Sequence, residues 1–294
     1  MNNKSAKNSL IEKGIRAGEI DMYEEDNTWS QNSSDKVDIA EELMCVIRNF
    51  CRTIPVDRLL NALSIGSGSE PQFQILEAAF RGGLNLLDID SIPLSVIDKR
   101  IQNHWIDHVK TIQADYNKVL VHDADARLFL SRELGGTRQD LITLHHSLYY
   151  SSESDWAELF GSLYGTVLAE QGAIHAVMMS SDCREPDSTT WLYNHYAGKF
   201  FGCRNDQNLA SFGKTLHSTT GFEQAEIRIE THRVRFFTDD FEKFMEVIWM
   251  ILLYPNVHDY THDQREEITE HVYSSFYEPG KPLIQMQDHL IITR

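Results

Sequence analysis

Between Leu59 and Phe80 the chain reads LLNALSIGSGSEPQFQILEAAF, and the part of it able to do chemistry is the turn Gly66-Ser67-Gly68-Ser69-Glu70. Glycines in such a turn allow positive φ and let a ligand approach the backbone where no Cβ stands in the way. The helix that follows offers N–H groups with no partner inside the helix. A second apolar run, Leu84, Leu86, Leu87 and Ile89, ends in Asp90. In a nucleotide-binding βαβ unit an acid roughly 20 residues beyond the glycine turn accepts hydrogen bonds from ribose hydroxyls. Gly66, Ser67, Gly68, Glu70 and Asp90 are therefore candidate cofactor contacts.

The third glycine of the dinucleotide fingerprint is absent, and Glu70-Pro71 stands in its place. A carboxylate there would repel the pyrophosphate of NAD at the helix N-terminus. It suits S-adenosylmethionine, which has no phosphate and carries a sulfonium and an ammonium. Two further clusters belong to the same chemistry. His122-Asp123-Ala124-Asp125 follows a predicted third strand, where an acid reaches an adenine amino group; Asp123, Asp125 and a plain solvated turn all stay open. His145-His146-Ser147-Leu148-Tyr149-Tyr150 follows the fourth strand, where a methyl acceptor would lie, because ligands of open α/β sheets bind outside the carboxyl ends of strands.

The elements that must position these groups follow from periodicity. Leu59 to Ile65 reads as a strand, and Phe73, Ile75, Leu76, Ala79 and Phe80 recur at helical spacing. Pro93 to Ile112 reads as a second crossover helix, Lys118 to Val121 as the third strand, and Asp140 to Leu144 as the fourth. Trp156 to Val167 is an amphipathic helix, Gly172 a turn and Ile174 to Met179 a fifth strand. A helix over Asn208 to Thr215, a strand over Ala225 to Thr231, helices over Asp239 to Leu253 and Arg265 to Phe276, and a strand over His289 to Thr293 complete the series. Alternating βα units followed by a late strand pair predict an α/β fold, a doubly wound, mostly parallel sheet with an antiparallel edge and helices on both faces.

Ahead of the first strand, Met1 to Ile20 reads as a frayed tail or short helix. Asp21 to Asp35 is acidic yet carries Tyr23 and Trp29, so it either folds over a site as a lid or docks on the core. Ser33-Ser34-Asp35 offers cap residues for a helix with the apolar face Val37, Ala40, Leu43, Met44, Ile47 and Phe50. From Ser180 to Ser211 polar residues alternate with Trp191, Tyr193, Tyr196, Phe200 and Phe201. These aromatics form a satellite core or wall a pocket for an amine by cation–π contact. Two regions result: residues 1–54 as tail, lid and substrate-side helix, and residues 55–294 as a Rossmann-like domain with an insertion near 181–211.

At 294 residues and 41% hydrophobic, the chain can bury one large core or one core with an appended lobe. No apolar run is long enough for a transmembrane helix, and the N-terminus is too polar for a signal peptide. Cys45, Cys51, Cys183 and Cys203 form no CxxC pair, which predicts reduced thiols in a cytoplasmic protein without structural zinc. His258, His262 and His271 lack a facial spacing and read as surface, so no metal is expected. A net charge of −17 disfavours nucleic acid and anionic membranes and is compatible with a cationic small substrate. Monomer and dimer are both left open.

With these residues placed, the stretch Asn61-Ala-Leu-Ser-Ile-Gly-Ser-Gly-Ser-Glu-Pro-Gln-Phe-Gln-Ile-Leu76 resembles the first motif of histamine N-methyltransferase, a class I S-adenosylmethionine-dependent enzyme. Leu148-Tyr149-Tyr150, Tyr196-Ala-Gly-Lys-Phe200 and His289-Leu-Ile-Ile are similar to further stretches of that family. The resemblance implies a seven-stranded Rossmann-like sheet with an N-terminal lid. It implies cofactor contacts at Gly66, Asp90, the Ser91 to Ser95 region and His145, with Tyr23 and an acid, best matched by Asp35, at the substrate amine. His146 stands where the family has a glutamine, and the family's C-terminal asparagine has no clean counterpart among Gln285, Met286 and Gln287. The expected activity is methyl transfer to an imidazole or amine nitrogen of a histamine-like acceptor. Asp35 and His146 would hold and orient it, with Tyr149, Tyr150, Trp191 and Tyr193 around it. An oxygen or sulfur acceptor, and a silent Rossmann-like binding protein, are the competing expectations.

Overall fold

The computed structural model describes residues 3–19, 22–186, 188–253 and 258–294, with the side chains of 3–5, 22, 23 and 51 excepted. The chain divides into two units, each assembled from separated stretches: Val37–Met178, Asn208–Thr231 and Asp288–Arg294 form one, and Met1–Lys36, Met179–Gln207 and His232–Gln287 the other. In chain order the elements are α1 (Asn3–Arg16), α2 (Met22–Asn32), α3 (Asp35–Thr53), β1 (Asn61–Ile65), α4 (Phe73–Ala79), β2 (Gly83–Asp88), α5 (Ser91–His104), β3 (Val109–Gln113), α6 (Tyr116–Val119) and α7 (Asp123–Arg132). They continue with β4 (Gln139–His145), α8 (Glu153–Ser162), β5 (Leu168–Met179), α9 (Thr189–Phe201), α10 (Leu209–Leu216), β6 (Glu226–Phe236), α11 (Phe241–Leu253), α12 (His262–Val272) and β7 (Leu283–Thr293).

The strands make one seven-stranded mixed sheet in the order β3-β2-β1-β4-β5-β7-β6. β1 runs parallel to β2 and to β4, β2 to β3, and β4 to β5. The order therefore reverses between β1 and β4, and the crevice that such a reversal leaves lies at their carboxyl ends. Alternate strand residues serve two cores. Leu63, Ile65, Leu87, Ile142, Leu144, Ile174 and Ala176 pack with α7, α8 and α10. Ala62, Leu84, Leu86, Leu141, Ala173 and Val177 pack with α3, α4 and α5. Burial on both faces explains why these strands read as nearly continuous apolar runs.

Five expectations are corrected in this unit: the end of the crossover helix, the third strand, the place of Asp123, the face of α3 and the turn at Gly172. The crossover helix stops at His104, where Trp105 turns left-handed at φ 56, and the third strand is Val109–Gln113. Residues 116–119 form a helical turn whose cap, Asp115, accepts from Asn117 N–H. Asp123 consequently starts α7 and sits at no strand end; its carboxylate takes Arg127 at 2.9 Å and the Thr166 hydroxyl. The apolar face of α3 is Ile39, Leu43, Val46, Ile47 and Phe50, while Val37 and Met44 are exposed. Gly172, expected in a turn, lies inside β5, beside a register shift between Gln139 and Leu141.

The other unit has its own core, drawn from α1, α2, α9, α11 and α12 with Val234, Phe236 and Leu283. α11 is apolar on nearly every side, and Phe241, Phe244, Met245, Val247, Ile248, Trp249 and Leu252 are all buried; a helix of that kind belongs in an interior. Trp249 donates its indole N–H to Gly14 O at 2.7 Å, which fastens α1. Trp29 is buried and stacks on Phe236 with ring centroids 5.6 Å apart, so this aromatic docks on a core. Tyr193 and Tyr196 of α9 enter the same core. His258, expected on the surface, is 8% exposed, with Nε2 at 3.3 Å from the Tyr193 hydroxyl and its ring stacked on Phe201.

Candidate functional site

The glycine turn closes β1 onto its neighbours. Gly66 N–H and Ser67 N–H both donate to Leu87 O, at 2.8 and 3.0 Å, which holds the turn against the end of β2. Gly66, Gly68 and Glu70 all have positive φ, at 66°, 50° and 49°. At Gly66 a Cβ would come within 2.4 Å of Ser147 Cβ, so the ends of β1 and β4 approach as closely as bare backbone permits. Glu70 is buried, accepting from the Ser64 hydroxyl and from Gln72 N–H. Its carboxylate is thus part of what shapes the turn.

The acid at the carboxyl end of β2 is Asp88. Its Oδ2 accepts from Gly68 N–H at 2.7 Å and its Oδ1 from Asp90 N–H at 2.9 Å. Asp90, the acid chosen from the sequence, is the N-cap of α5 and accepts from Ile92 N–H at 2.8 Å. Ser91 opens that helix, and Ser95 turns its hydroxyl back to Ile92 O at 2.7 Å. Beyond β3 the first acid is Asp115, which caps α6 and pairs with Lys118 at 3.2 Å. Asp88, at the end of β2, and Asp115, just beyond β3, are not among the candidates that the sequence singles out. The Asp88-Ile89-Asp90 spacing was the available signal for the first, and the misplaced third strand hid the second.

Past β4 the chain turns sharply. His146 takes a left-handed φ of 54° while its N–H donates to Val177 O at 2.8 Å, a conformation that costs about 1–3 kcal/mol in a non-glycine residue. Its ring stacks on Tyr149, with Nδ1 at 3.4 Å from the tyrosine hydroxyl. Tyr150 is half exposed. Ser147 O accepts from the buried Tyr116 hydroxyl at 2.9 Å; burial first, then the Asp115 charge, pushes the Tyr116 phenol well above its ordinary range. The hydroxyls of Ser67 and Ser147 are buried with no hydrogen-bond partner among the described residues. His145, at the last position of β4, has its Nε2 at 3.2 Å from His175 Nδ1.

The remaining candidates lie in the other unit. Asp35 opens α3 with a buried carboxylate, and its N–H donates to Ser33 Oγ at 3.2 Å. The Tyr23 side chain lies outside the described residues. Trp191 stacks on His195 with centroids 4.6 Å apart, and Tyr193 is committed to His258. His262, Asp263 and Glu266 bring ligand atoms within 4.8 Å of one another on an exposed turn of α12, an arrangement common on acidic surfaces without an ion. A cavity of about 240 Å³ lined by Asn49, Gln171, Glu226, Arg228 and Arg294 contains none of the candidate residues.

No protein-family model matches the chain, and no curated protein does. Solved structures do. The YcgJ protein of Bacillus subtilis aligns over 85% of this chain and 97% of its own at 13% identity with a TM-score of 0.51. The plantazolicin methyltransferase BamL, solved with S-adenosylhomocysteine, covers 99% of each chain at 14% identity and a TM-score of 0.47. A Haemonchus contortus phosphoethanolamine N-methyltransferase 2 covers 85% of this chain and 52% of its own at 13% and 0.46. The architecture is the Rossmann-like methyltransferase fold.

Proposed function

We propose that the protein is an S-adenosylmethionine-dependent methyltransferase that acts on an imidazole or amine nitrogen of a small molecule. The observation that carries this reading is the crevice at the ends of β1, β2 and β4, where a left-handed glycine turn, the Asp88 carboxylate on Gly68 N–H and the Ser147 backbone converge. The residues fit the cofactor. Asp88 retains lone pairs for ribose hydroxyls, Asp115 follows β3 where an adenine amino group would be met, and the buried Ser67 and Ser147 hydroxyls await polar partners. Bound there, S-adenosylmethionine supplies a methyl carbon already activated by its sulfonium.

The chain's own work is to hold the acceptor nitrogen in line with that carbon and to strip its water. His146, fixed by its strained backbone and by Tyr149, is the residue assigned to orient the acceptor ring. Asp35 is assigned to a cationic end of the substrate on the resemblance, supported by its burial. Cys45, Cys183 and Cys203 are free thiols, in keeping with a cytoplasmic location, and no described helix is long and apolar enough to cross a membrane. Calorimetric titration with S-adenosylhomocysteine tests the cofactor, and folded protein with no saturable heat refutes it. A labelled-methyl assay over amines, imidazoles, alcohols and thiols tests the acceptor; turnover confined to oxygen or sulfur refutes the nitrogen assignment.

A further inference from the structure

The cavity of about 240 Å³ is walled by the last turns of α3, the first half of β5, the start of β6 and the end of β7, all within the unit that carries the glycine turn. Ala173 stands level with Leu141, and Leu141 with Ala62 near the amino end of β1. Arg294 N–H donates to Gly172 O at 3.0 Å, which lays the end of β7 beside the start of β5. The hollow therefore lies toward the amino ends of the parallel strands, while the glycine turn lies beyond the carboxyl end of β1. They are two separate places on one sheet.

Four buried side chains, Val46, Phe50, Ala173 and Ile291, give the hollow an apolar floor. Asn49, Gln171 and Thr293 also line it, and their side chains make no hydrogen bond among the described residues. An apolar floor with a few polar groups around it is the usual make-up of a small-molecule site. A dry cavity of about 150 Å³ already accepts a benzene ring, so this one has room for a ring and a short arm.

Charge selects the ligand. Arg228 donates to Glu42 and to Glu230, each at 2.6 Å, and Arg294 donates to Tyr164 O at 3.0 Å with its guanidinium over the Tyr164 ring. Both cations of the lining are thus committed. Glu226 is exposed, lines the same hollow and makes no ion pair among the described residues. Phe50 and Thr53 belong to the last turn of α3, the end of a helix where the backbone dipole favours a cation. Arg48 and Arg52 of that helix are exposed and stand outside the lining. We infer that the hollow is a second small-molecule site, whose ligand is an organic ammonium with a compact apolar body. The body lies on the floor, the ammonium pairs with Glu226, and Asn49 and Thr293 offer oxygens to its other N–H groups. An amine held toward the amino ends of the strands is not presented to chemistry at their carboxyl ends, so the site holds its ligand unchanged. The inference stands apart from the methyltransferase reading and needs neither cofactor nor turnover.

NMR titration of methyl-labelled full-length protein with 2-phenylethylamine reads the site directly, with 2-phenylethanol and phenylacetate as the neutral and anionic comparators. The expected result is saturable shifts at the Val46, Ala173 and Ile291 methyls with the amine, weaker binding of the alcohol and none of the acid. Glu226→Gln should weaken amine binding by about 2- to 5-fold, and Glu226→Lys by more, because it adds repulsion to the lost attraction. Glu226 is exposed on the outermost strand of the sheet, so neither change disturbs a core. Gln171→Lys, which brings a like charge to the wall from another strand, should weaken binding as well. Added salt should do the same to the unsubstituted protein. Shifts that grow without saturating, that appear equally with phenylacetate, or that ignore all three substitutions overturn the inference. So do amine-induced shifts confined to the glycine turn and residues 145–150, which would place the amine in the crevice alone. Failure to bind S-adenosylhomocysteine would instead sink the methyltransferase reading and leave this site standing.

Discussion

A carboxylate that accepts two backbone N–H groups still has lone pairs to offer, and this is the condition of Asp88, held by Gly68 and Asp90. Asp88→Ala should weaken S-adenosylhomocysteine binding by about 1.5–3 kcal/mol for each charge-assisted bond lost. Asp90→Ala should leave affinity nearly intact and cost about 1 kcal/mol of stability as a lost helix cap. Calorimetry beside urea denaturation separates the two, and the reverse pattern would return the ribose to Asp90. Gly66→Ala should abolish cofactor binding, since positive φ and the Ser147 contact both oppose a Cβ; unchanged affinity would detach the turn from the site. His258 offers a pH test in the other unit. Burial holds its imidazole below the ordinary value of 6.5, so the unfolded chain takes up the proton first on acidification. The stability this neutral ring contributes is complete above about pH 6.5 and is lost as pH falls toward the folded value. His258→Gln should flatten that decline, and urea midpoints that fall equally in both proteins would contradict it.

At the level of elements, α3 shows how a face is decided by packing. Leu43 is fully buried and Val37 is 60% exposed. Leu43→Ala should destabilise by about 2–5 kcal/mol and Val37→Ala by less than about 0.5; comparable losses in thermal denaturation would mean the helix is mis-phased. The same comparison explains what was legible beforehand. The glycine turn was plain because strand, turn and helix follow within one short stretch, and β1, β2, β4 and α11 announce themselves by apolar runs. β3 did not. The apolar spacing of α5 continues past Ile106 into Ile112, and the residue that stops the helix is a left-handed tryptophan and not a glycine, so no stop signal was written. The run Lys118 to Val121 looked like a strand until the Asp115 cap made it helical. The approach of His145 to His175 was beyond reach of any spacing rule, since the two are 30 residues apart, and only the sheet order brings them together.

For the molecule as a whole, ligand binding should register as protection. With S-adenosylhomocysteine bound, amides at the glycine turn, at residues 88–92 and at residues 114–116 should exchange more slowly. Saturation at about 100 times Kd adds about 2.7 kcal/mol to the unit that binds. Protection confined to the other unit would place the cofactor elsewhere. The fastening of Gly14 by Trp249, 235 residues apart, carries a consequence of timing. On a ribosome adding about 5–20 residues per second, α1 emerges roughly 10–50 s before the helix that will cover Ile11 and Ile15. α1 is therefore housed late, and Ile11 and Ile15 stay uncovered until the chain has grown as far as Trp249.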